Sequence, residues 1–180
     1  MTALRIGVGI TWAVFWIGWL AVAFTAKRSV GRRNFLGGRG LAAVAVIVLL
    51  RGFKGSGLEV HSLVLGIIGT ALFVAGIALA IWARVILGRN WGMPMTQRAE
   101  PELVTSGPYR FVRHPIYSGL LLAVLGTALA TNLYFLIALV LVGFYFIYSA
   151  TVEERTMTTS FPADYPGYKE HTKMLIPFVL

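Results

Sequence analysis

The sequence predicts an all-α integral membrane protein with five transmembrane helices. Of its 180 residues, 57% are hydrophobic and 13% are charged, and the mean hydropathy is +0.76. A soluble domain carries about 25% charged residues. Apolar runs of membrane-spanning length alternate here with short basic loops, so most of the chain is expected to lie in the bilayer.

The five spans are predicted at 4–26, 41–50, 63–87, 116–130 and 133–152. The first would measure about 34 Å at 1.5 Å per residue, enough to cross the hydrocarbon core. A cleaved signal peptide is the alternative, but the run is too long and its basic residues follow it. The second run is so short that a re-entrant segment competes with a crossing. In the third, Gly66, Gly69 and Gly76 predict close helix packing.

The distribution of lysine and arginine predicts the orientation. Loops 27–39 and 84–115 and the tail after residue 152 carry thirteen, and the opposite loops carry three. Basic residues favour the cytoplasmic side, so we expect the C-terminus in the cytoplasm and the N-terminus outside. If the second run were re-entrant, the first basic loop would lie on the side opposite residues 106–119, and the charge asymmetry would be lost. The asymmetry therefore favours a full crossing. The formal charge of +9 then indicates contact with anionic membrane lipids, and no nucleic-acid partner is expected.

Several kinds of site are disfavoured by the sequence. The chain has no cysteine, so thiolate chemistry is excluded. Asp164 is its only aspartate, and a Ser-His-Asp triad has no support. His61, His114 and His171 lie far apart without ligands at helical spacing, so no metal site is expected. No glycine-rich phosphate-binding loop follows a strand.

One polar cluster remains between the apolar runs. Residues 106–119 read SGPYRFVRHPIYSG, and Glu153-Glu154 follows after 33 mostly apolar residues. Two helices joined by a turn at Thr131-Asn132 would return this acidic pair to the level of His114. We place the pair at a helix C-terminus, where it opposes the helix dipole and needs a cationic partner. Ionisable groups beside lipid are expensive, so the two motifs predict one functional site.

Each residue of the cluster also has a structural interpretation. Tyr109 and Tyr117 are typical of a membrane-interface belt, and Arg113 of a leaflet anchor. Arg84, near the end of the third span, more often extends to the interface than into a site. The acidic pair by itself would be a solvated helix end. The joint arrangement of these residues favours a functional site.

The motifs resemble those of the isoprenylcysteine carboxyl methyltransferase family, which is related to the phospholipid N-methyltransferases. The matching residues are Leu103-Val104-Thr105-Ser106-Gly107-Pro108-Tyr109, Arg113-His114-Pro115-x-Tyr117-x-Gly119 and Glu153-Glu154, followed by Met157, Phe161, Tyr165, Tyr168 and Ile176-Pro177. The resemblance covers about residues 76–178. It divides the chain into N-terminal transmembrane helices, 1–75, and a methyltransferase-like region, 76–180.

This resemblance implies S-adenosyl-L-methionine as the cofactor, held at the cytosolic face and converted to S-adenosyl-L-homocysteine. The tail would cover it as a lid, and a lipophilic or prenylated substrate would enter from the bilayer. The catalytic residues would be Arg113, Glu153 and Glu154. The cofactor-binding residues carried over by position are Gln97, Leu103, Val104, Tyr109, His114, Pro115, Ile116, Tyr117 and Glu153.

The acceptor side departs from the family, because Ser149 stands where an arginine usually holds the substrate carboxylate. A serine cannot form that bidentate pair. Arg84, Tyr145 and Tyr148 complete the expected acceptor side. A carboxylate acceptor therefore competes with a lipid amine, for which Glu154 is the candidate base. A sterol-type reductase that binds NADPH and a non-enzymatic scaffold are further alternatives.

Overall fold

A computed structural model describes residues 2–23, 29–30, 57–91, 97–98 and 102–177. The described residues fold mainly as helices, which confirms the predicted all-α class. The helices are α1 (Thr2–Ala23), α2 (Leu63–Leu87), α3 (Pro115–Ala130), α4 (Phe135–Ser160) and α5 (Tyr165–His171). Short 3₁₀ helices lie at Gly88–Asn90 and Gly107–Arg110.

Three helical stretches are long and apolar enough to cross a bilayer, namely Thr2–Ala21, Leu63–Asn90 and Phe135–Ser160. The apolar α3 has 16 residues, which corresponds to about 24 Å. The predicted second span, 41–50, lies outside the described residues. The membrane-spanning character of the chain is thus supported by three helices, and the count of five spans stays a prediction.

The predicted end of the last span is wrong. We expected it to end at residue 152 with the acidic pair at its C-terminus, but α4 continues to Ser160. In the added turns, threonine hydroxyls donate to the carbonyl four residues earlier, as Thr158 does to Glu154 at 2.9 Å. The negative end of a helix dipole acts within the last turn. Glu153 and Glu154 therefore lie before the region in which the dipole would oppose them.

A pair of two-residue strands joins two loops at one end of the bundle. Strand β1 (Ser29–Val30) pairs antiparallel with β2 (Gln97–Arg98). The loop after α1 and the loop after α2 therefore lie at the same end, as the distribution of basic residues predicts. Which membrane face this end occupies stays a prediction.

Helices α2 and α3 pack with almost no side chain between their backbones. A Cβ on Gly126 would lie 2.2 Å from the backbone nitrogen of Phe73, and one on Gly76 would lie 2.4 Å from that of Ala123. Gly69 and Gly119 are as tightly enclosed. The glycines recur seven residues apart on each helix, which keeps them on one face. The predicted close packing of Gly69 and Gly76 is confirmed, and this contact fixes the position of α3.

The opposite end of the bundle is closed by local backbone pairing and one ion pair. Val60 donates its N–H to the Thr131 carbonyl at 3.1 Å, and Leu133 donates to the Leu58 carbonyl at 3.0 Å. Arg5 Nη2 lies 2.7 Å from Glu59 Oε2. The predicted turn between the last two spans is therefore fastened to the start of α2, and α4 runs back toward the N-terminal end of α3.

Candidate active site

The site is built at the start of α3, where the tail packs against residues 112–118. Arg113 donates its backbone N–H to the Lys173 carbonyl at 2.8 Å, and His114 donates to that of Met174 at 3.0 Å. Ser118 Oγ donates to the Leu175 carbonyl at 2.5 Å. As predicted, Pro115 is the first residue of the helix, where its missing N–H costs nothing. The tail is thus held against the N-terminus of α3 by backbone hydrogen bonds.

Glu154 is the centre of an ion cluster that includes buried Arg113 and exposed Lys169. Its Oε1 accepts from Arg113 Nε at 2.7 Å, and its Oε2 lies 2.8 Å from Lys169 Nζ on α5. The side chains of Arg113 and Glu154 are only 8% and 4% exposed. Arg113 Nη1 also donates to the carbonyls of Lys169 and Thr172. Arg113 and Glu154 therefore connect α4, the start of α3 and the tail.

Glu153 has a different set of neighbours. Tyr117 donates its hydroxyl to Glu153 Oε1 at 2.6 Å, and His114 Nδ1 lies 3.4 Å from Glu153 Oε2. The Tyr117 ring is stacked between those of His114 and Phe146, with centroids 5.5 and 4.3 Å away. These distances confirm that α3 and α4 return the acidic pair to the level of His114.

His114 faces both carboxylates of the pair. Its Nε2 lies 3.6 Å from Glu154 Oε1, within ion-pair range but beyond hydrogen-bond length. That nitrogen is buried and has no hydrogen-bond partner among the described residues. Burial lowers the pKa of His114, but Glu153 and Glu154 more than offset it, so the pKa is raised above its usual range. The imidazole is therefore held toward its cationic form between the two carboxylates.

Two tyrosines close the side of the site next to α2. Tyr109 is buried and donates its hydroxyl to the Ala83 carbonyl at 3.4 Å. Tyr168 of α5 donates to the Tyr109 carbonyl at 2.6 Å. Burial is the main cause that raises the pKa of Tyr109 well above its usual range and that of Tyr168 to about 12. Both hydroxyls thus remain neutral hydrogen-bond donors at physiological pH.

The remaining predicted cofactor residues lie around this cluster. Ile116 and Pro115 are buried in the first turn of α3, and Leu103 and Val104 are half-buried in the segment before the 3₁₀ helix. Val104 packs against the hydrophobic core. Gln97 lies in β2, and its side chain is outside the part of the chain that the structure describes. The cofactor contacts of these residues stay predictions.

The predicted acceptor residues are dispersed. Arg84 is buried on α2, where Nη1 donates to the Gly88 carbonyl at 2.7 Å and Cζ lies 4.4 Å from the Trp91 ring centroid. Tyr148 is 62% exposed, and Tyr145 is half-buried beside Phe146. Ser149 is fully buried. Of this group, Ser149 lies one helical turn before Glu153 and so shares its face of α4.

Several residues of the site were not assigned from the sequence. Lys169, Thr172 and Phe146 contact Glu154, Arg113 and Tyr117, respectively. The family resemblance placed tail residues over the site, but no spacing rule pairs Lys169 with Glu154 across 15 positions. Phe146 lies inside a long apolar run, where nothing in the sequence distinguishes it from the lipid-facing residues.

A family comparison identifies the larger group. The model of the phospholipid methyltransferase family matches residues 64–164, which include almost all of α2 and the whole of α3 and α4. The chain belongs to this family. The match contains both motifs of the site and the glycine-packed pair of helices, and it ends just before α5.

Three relatives are similar to parts of the chain. A cobalt-zinc-cadmium resistance protein of Cupriavidus metallidurans is 32% identical over 59% of this chain and 48% of its own length. A nickel-cobalt-cadmium resistance protein of Alcaligenes xylosoxydans xylosoxydans is 30% identical over 61% of this chain and 52% of its own. The chain thus spans about half the length of these curated relatives. Methanethiol S-methyltransferase 1 of Bradyrhizobium diazoefficiens is 37% identical over 43% of this chain and 27% of its own length.

Proposed function

We propose that this protein is an integral-membrane methyltransferase that uses S-adenosylmethionine and modifies a lipophilic acceptor. Family membership and the similarity to a methanethiol S-methyltransferase support methyl transfer. The observation that carries the proposal is the junction of α3 and α4, where Glu153, His114 and Tyr117 form one polar cluster at the end of apolar helices.

The residues present fit the charges of S-adenosylmethionine. The cofactor has a sulfonium cation, an ammonium and a carboxylate, together with an adenine ring. Glu153 would hold the cationic part. His114, whose Nε2 has no hydrogen-bond partner among the described residues, would hold the carboxylate at the N-terminus of α3, where free N–H groups favour an anion. Tyr109, Leu103 and Val104 would contact the adenosine.

Bound S-adenosylmethionine supplies an electrophilic methyl group, and the protein supplies position and exclusion of water. Tyr117 fixes one oxygen of Glu153 through a 2.6 Å hydrogen bond. Arg113 and Lys169, both paired with Glu154, hold the tail over the site. We assign Arg113 and Glu154 a positioning role and Glu153 the direct contact. Positioning and dehydration are the main means by which such a displacement is accelerated.

The proposed access routes follow from the position of the cluster. The apolar outer faces of α2 and α4, such as Val85 and Phe144, are 69% and 71% exposed and suit contact with lipid tails. A lipophilic acceptor would approach between these faces from the bilayer. The water-soluble cofactor would enter from the end that carries the basic loops, which we propose to be cytoplasmic.

Ligand-dependent thermal stability tests the proposal. The purified protein is melted with S-adenosylmethionine and, separately, with NADPH. A ligand at 100 times its dissociation constant stabilises the folded state by about 2.7 kcal/mol. We expect a shift of several degrees with S-adenosylmethionine, and loss of that shift in Glu153→Gln with folding retained. Glu170→Gln, at an exposed position of α5, is the matched control.

Two outcomes would contradict the proposal. Stabilisation by NADPH alone would indicate a reductase with a similar helix bundle. An unchanged S-adenosylmethionine shift in Glu153→Gln would show that the cofactor binds away from the cluster.

A further inference from the structure

One face of α1 contacts the rest of the bundle at three levels. This face includes residues at spacings of three and four, which lie on one side of a helix, namely Arg5, Val8, Trp12, Phe15 and Trp19. Arg5 pairs with Glu59 at 2.7 Å. In the middle of the helix, Trp12 Nε1 donates to Thr127 Oγ1 of α3 at 3.0 Å. The third contact is made by Trp19, at the end of the bundle that carries the site.

Trp19 lies beside a buried arginine at the end of α2. Arg84 is 6% exposed, and its Cζ lies 4.4 Å from the Trp91 ring centroid and 5.9 Å from that of Trp19. Both distances are within the range of cation–π attraction. The two rings also meet edge to face, with centroids 5.7 Å apart. A buried guanidinium is unfavourable without such partners, so the two rings stabilise it in this position.

Arg84 in turn closes the end of α2. Its Nη1 donates to the Gly88 carbonyl at 2.7 Å, and Gly88 donates its N–H to the Arg84 carbonyl. Carbonyls at the end of a helix lack partners within the helix, and a cation beside them is favoured by the helix dipole. The guanidinium therefore holds the last turn of the helix, residues 84–88, in its conformation.

This end of α2 supports the segment that carries Tyr109. The Tyr109 hydroxyl donates to the Ala83 carbonyl at 3.4 Å. Gly107 lies so close to α2 that an added Cβ would be 3.0 Å from Cγ1 of Ile86. The 3₁₀ helix at Gly107–Arg110 is thus packed directly on the turn that Arg84 holds.

We propose that Trp19 and Arg84 are positioning residues, which hold the end of α2 so that Tyr109 is placed for the adenosine of the cofactor. Helix α1 thereby contributes to the site, although it lies outside residues 64–164, which the family model matches. The contact of Tyr109 with the cofactor rests on the proposed function. The positioning of the segment that carries it does not, and it can be measured without a ligand.

Hydrogen exchange of the ligand-free protein tests the positioning. The order of the segment is reported by three amides that donate to local carbonyls, those of Tyr109, Phe111 and Val112. We expect Trp19→Leu to speed their exchange about three- to tenfold, which corresponds to the loss of one aromatic or cation–π contact. Exchange in α3 should stay as in the wild type. Trp19→Phe keeps a ring at this position and should restore most of the protection.

Trp82→Leu is the matched control. Trp82 lies on α2 two residues before Arg84 and is 48% exposed, so its replacement should leave the exchange of the three amides unchanged. Equal acceleration in Trp82→Leu and Trp19→Leu, or no acceleration in Trp19→Leu, would overturn the inference. If Trp19→Leu does not fold, Arg84→Lys replaces it, because lysine keeps the charge but lacks the planar group that stacks on the rings. The same acceleration is then expected.

Titration with S-adenosylmethionine, followed by thermal stability, tests the link to the cofactor. We expect Trp19→Leu to bind it about three- to tenfold more weakly than the wild type, and Trp82→Leu to bind it equally well. A wild-type protein with no shift would contradict the proposed function, while the exchange result would still decide the positioning. Faster exchange with unchanged cofactor affinity would overturn the role of Trp19 and Arg84 toward the cofactor.

Discussion

Helix α3 contacts α2 and α4 in contrasting ways. Toward α2 it presents Gly119 and Gly126, and a Cβ on either would meet backbone atoms within 2.7 Å. Toward α4 the contact is made by large side chains, including the Tyr117–Phe146 stack at 4.3 Å. A Cβ on Gly143 of α4 would have only a side-chain atom of Leu121 near it, at 3.9 Å. The first interface fixes the backbone, whereas the second leaves room for polar chemistry at its end.

This difference shows how a small membrane protein can hold charged groups in place. Without a strong hydrophobic drive between helices in lipid, association depends on close packing and hydrogen bonds. The glycine contact supplies the close packing along the length of α3. The ion pairs of Arg113 and Glu154 then need only position the tail and the start of the helix. Mutations at the two interfaces should therefore have different consequences.

The largest effect is expected at the glycine contact. In Gly126→Leu, the added Cβ would lie 2.2 Å from Phe73 N and 2.6 Å from Gly69 O. Overpacking costs about 1–3 kcal/mol even where side chains can move. Here backbone atoms block the site, so we expect a loss beyond about 3 kcal/mol and little folded protein. The yield of monodisperse protein and its melting temperature in detergent measure this.

The control for this prediction is Gly143→Ala. Its Cβ would make an ordinary contact with Leu121, and alanine is favoured over glycine in a helix by about 1 kcal/mol. We expect normal or slightly increased stability. Equal tolerance of both substitutions would show that the glycine contact does not determine the position of α3.

A smaller, localised effect is expected for Arg113→Met. The change leaves the buried Glu154 carboxylate without its closest partner and removes the bonds from Arg113 to the tail. Breaking one side of a buried ion pair costs about 3 kcal/mol. We expect faster hydrogen exchange at 165–175, with the exchange of α2 unchanged.

Arg110→Met provides the comparison for the tail. Arg110 is exposed and lies over the Phe111 ring. Its removal should therefore leave hydrogen exchange at 165–175 as slow as in the wild type. Unchanged exchange in Arg113→Met would contradict the role of Arg113 in holding the tail.

The smallest effect is expected in the pH dependence contributed by His114. Its pKa is raised in the folded protein, because the two carboxylates outweigh the opposing effect of burial. The stabilisation is therefore complete below the unfolded value of about 6.5 and is lost as the pH rises through the folded pKa. The difference in melting temperature between wild type and His114→Asn should be largest at acidic pH and smaller at alkaline pH.

His171→Asn is the control, since His171 is exposed at the end of α5. We expect this substitution at an exposed position to leave the melting temperature close to that of the wild type. A His114 contribution that grows with pH would contradict the charged interaction with Glu153 and Glu154.

Much of the helical framework could be predicted from the sequence, because the patterns that predict each helix involve residues close together in the chain. The third span was predicted at 63–87, and α2 has those bounds. The helix start at Pro115 follows from the fixed φ of proline and its missing N–H. The glycines Gly66, Gly69 and Gly76 were sufficient to predict close packing of this helix, though not the partner residues on α3.

The sequence could not predict how the two glutamates divide their contacts. They are adjacent in the chain, and both carry the same charge. Glu154 faces Lys169 and Arg113, whereas Glu153 faces Tyr117. A helix turns by about 100° per residue, so neighbouring residues meet different elements. Lys169 lies in the tail, and no local sequence pattern predicts that the tail packs against Glu154.

By itself, the sequence determined the helical class, the apolar segments and the two motifs of the site, because each depends on residues close together in the chain. Tertiary structure decided that Arg113 pairs with Glu154, that Tyr117 donates to Glu153, and that Tyr168 donates to the Tyr109 carbonyl. These features depend on distances between residues far apart in sequence. Such distances are fixed only when the helices pack.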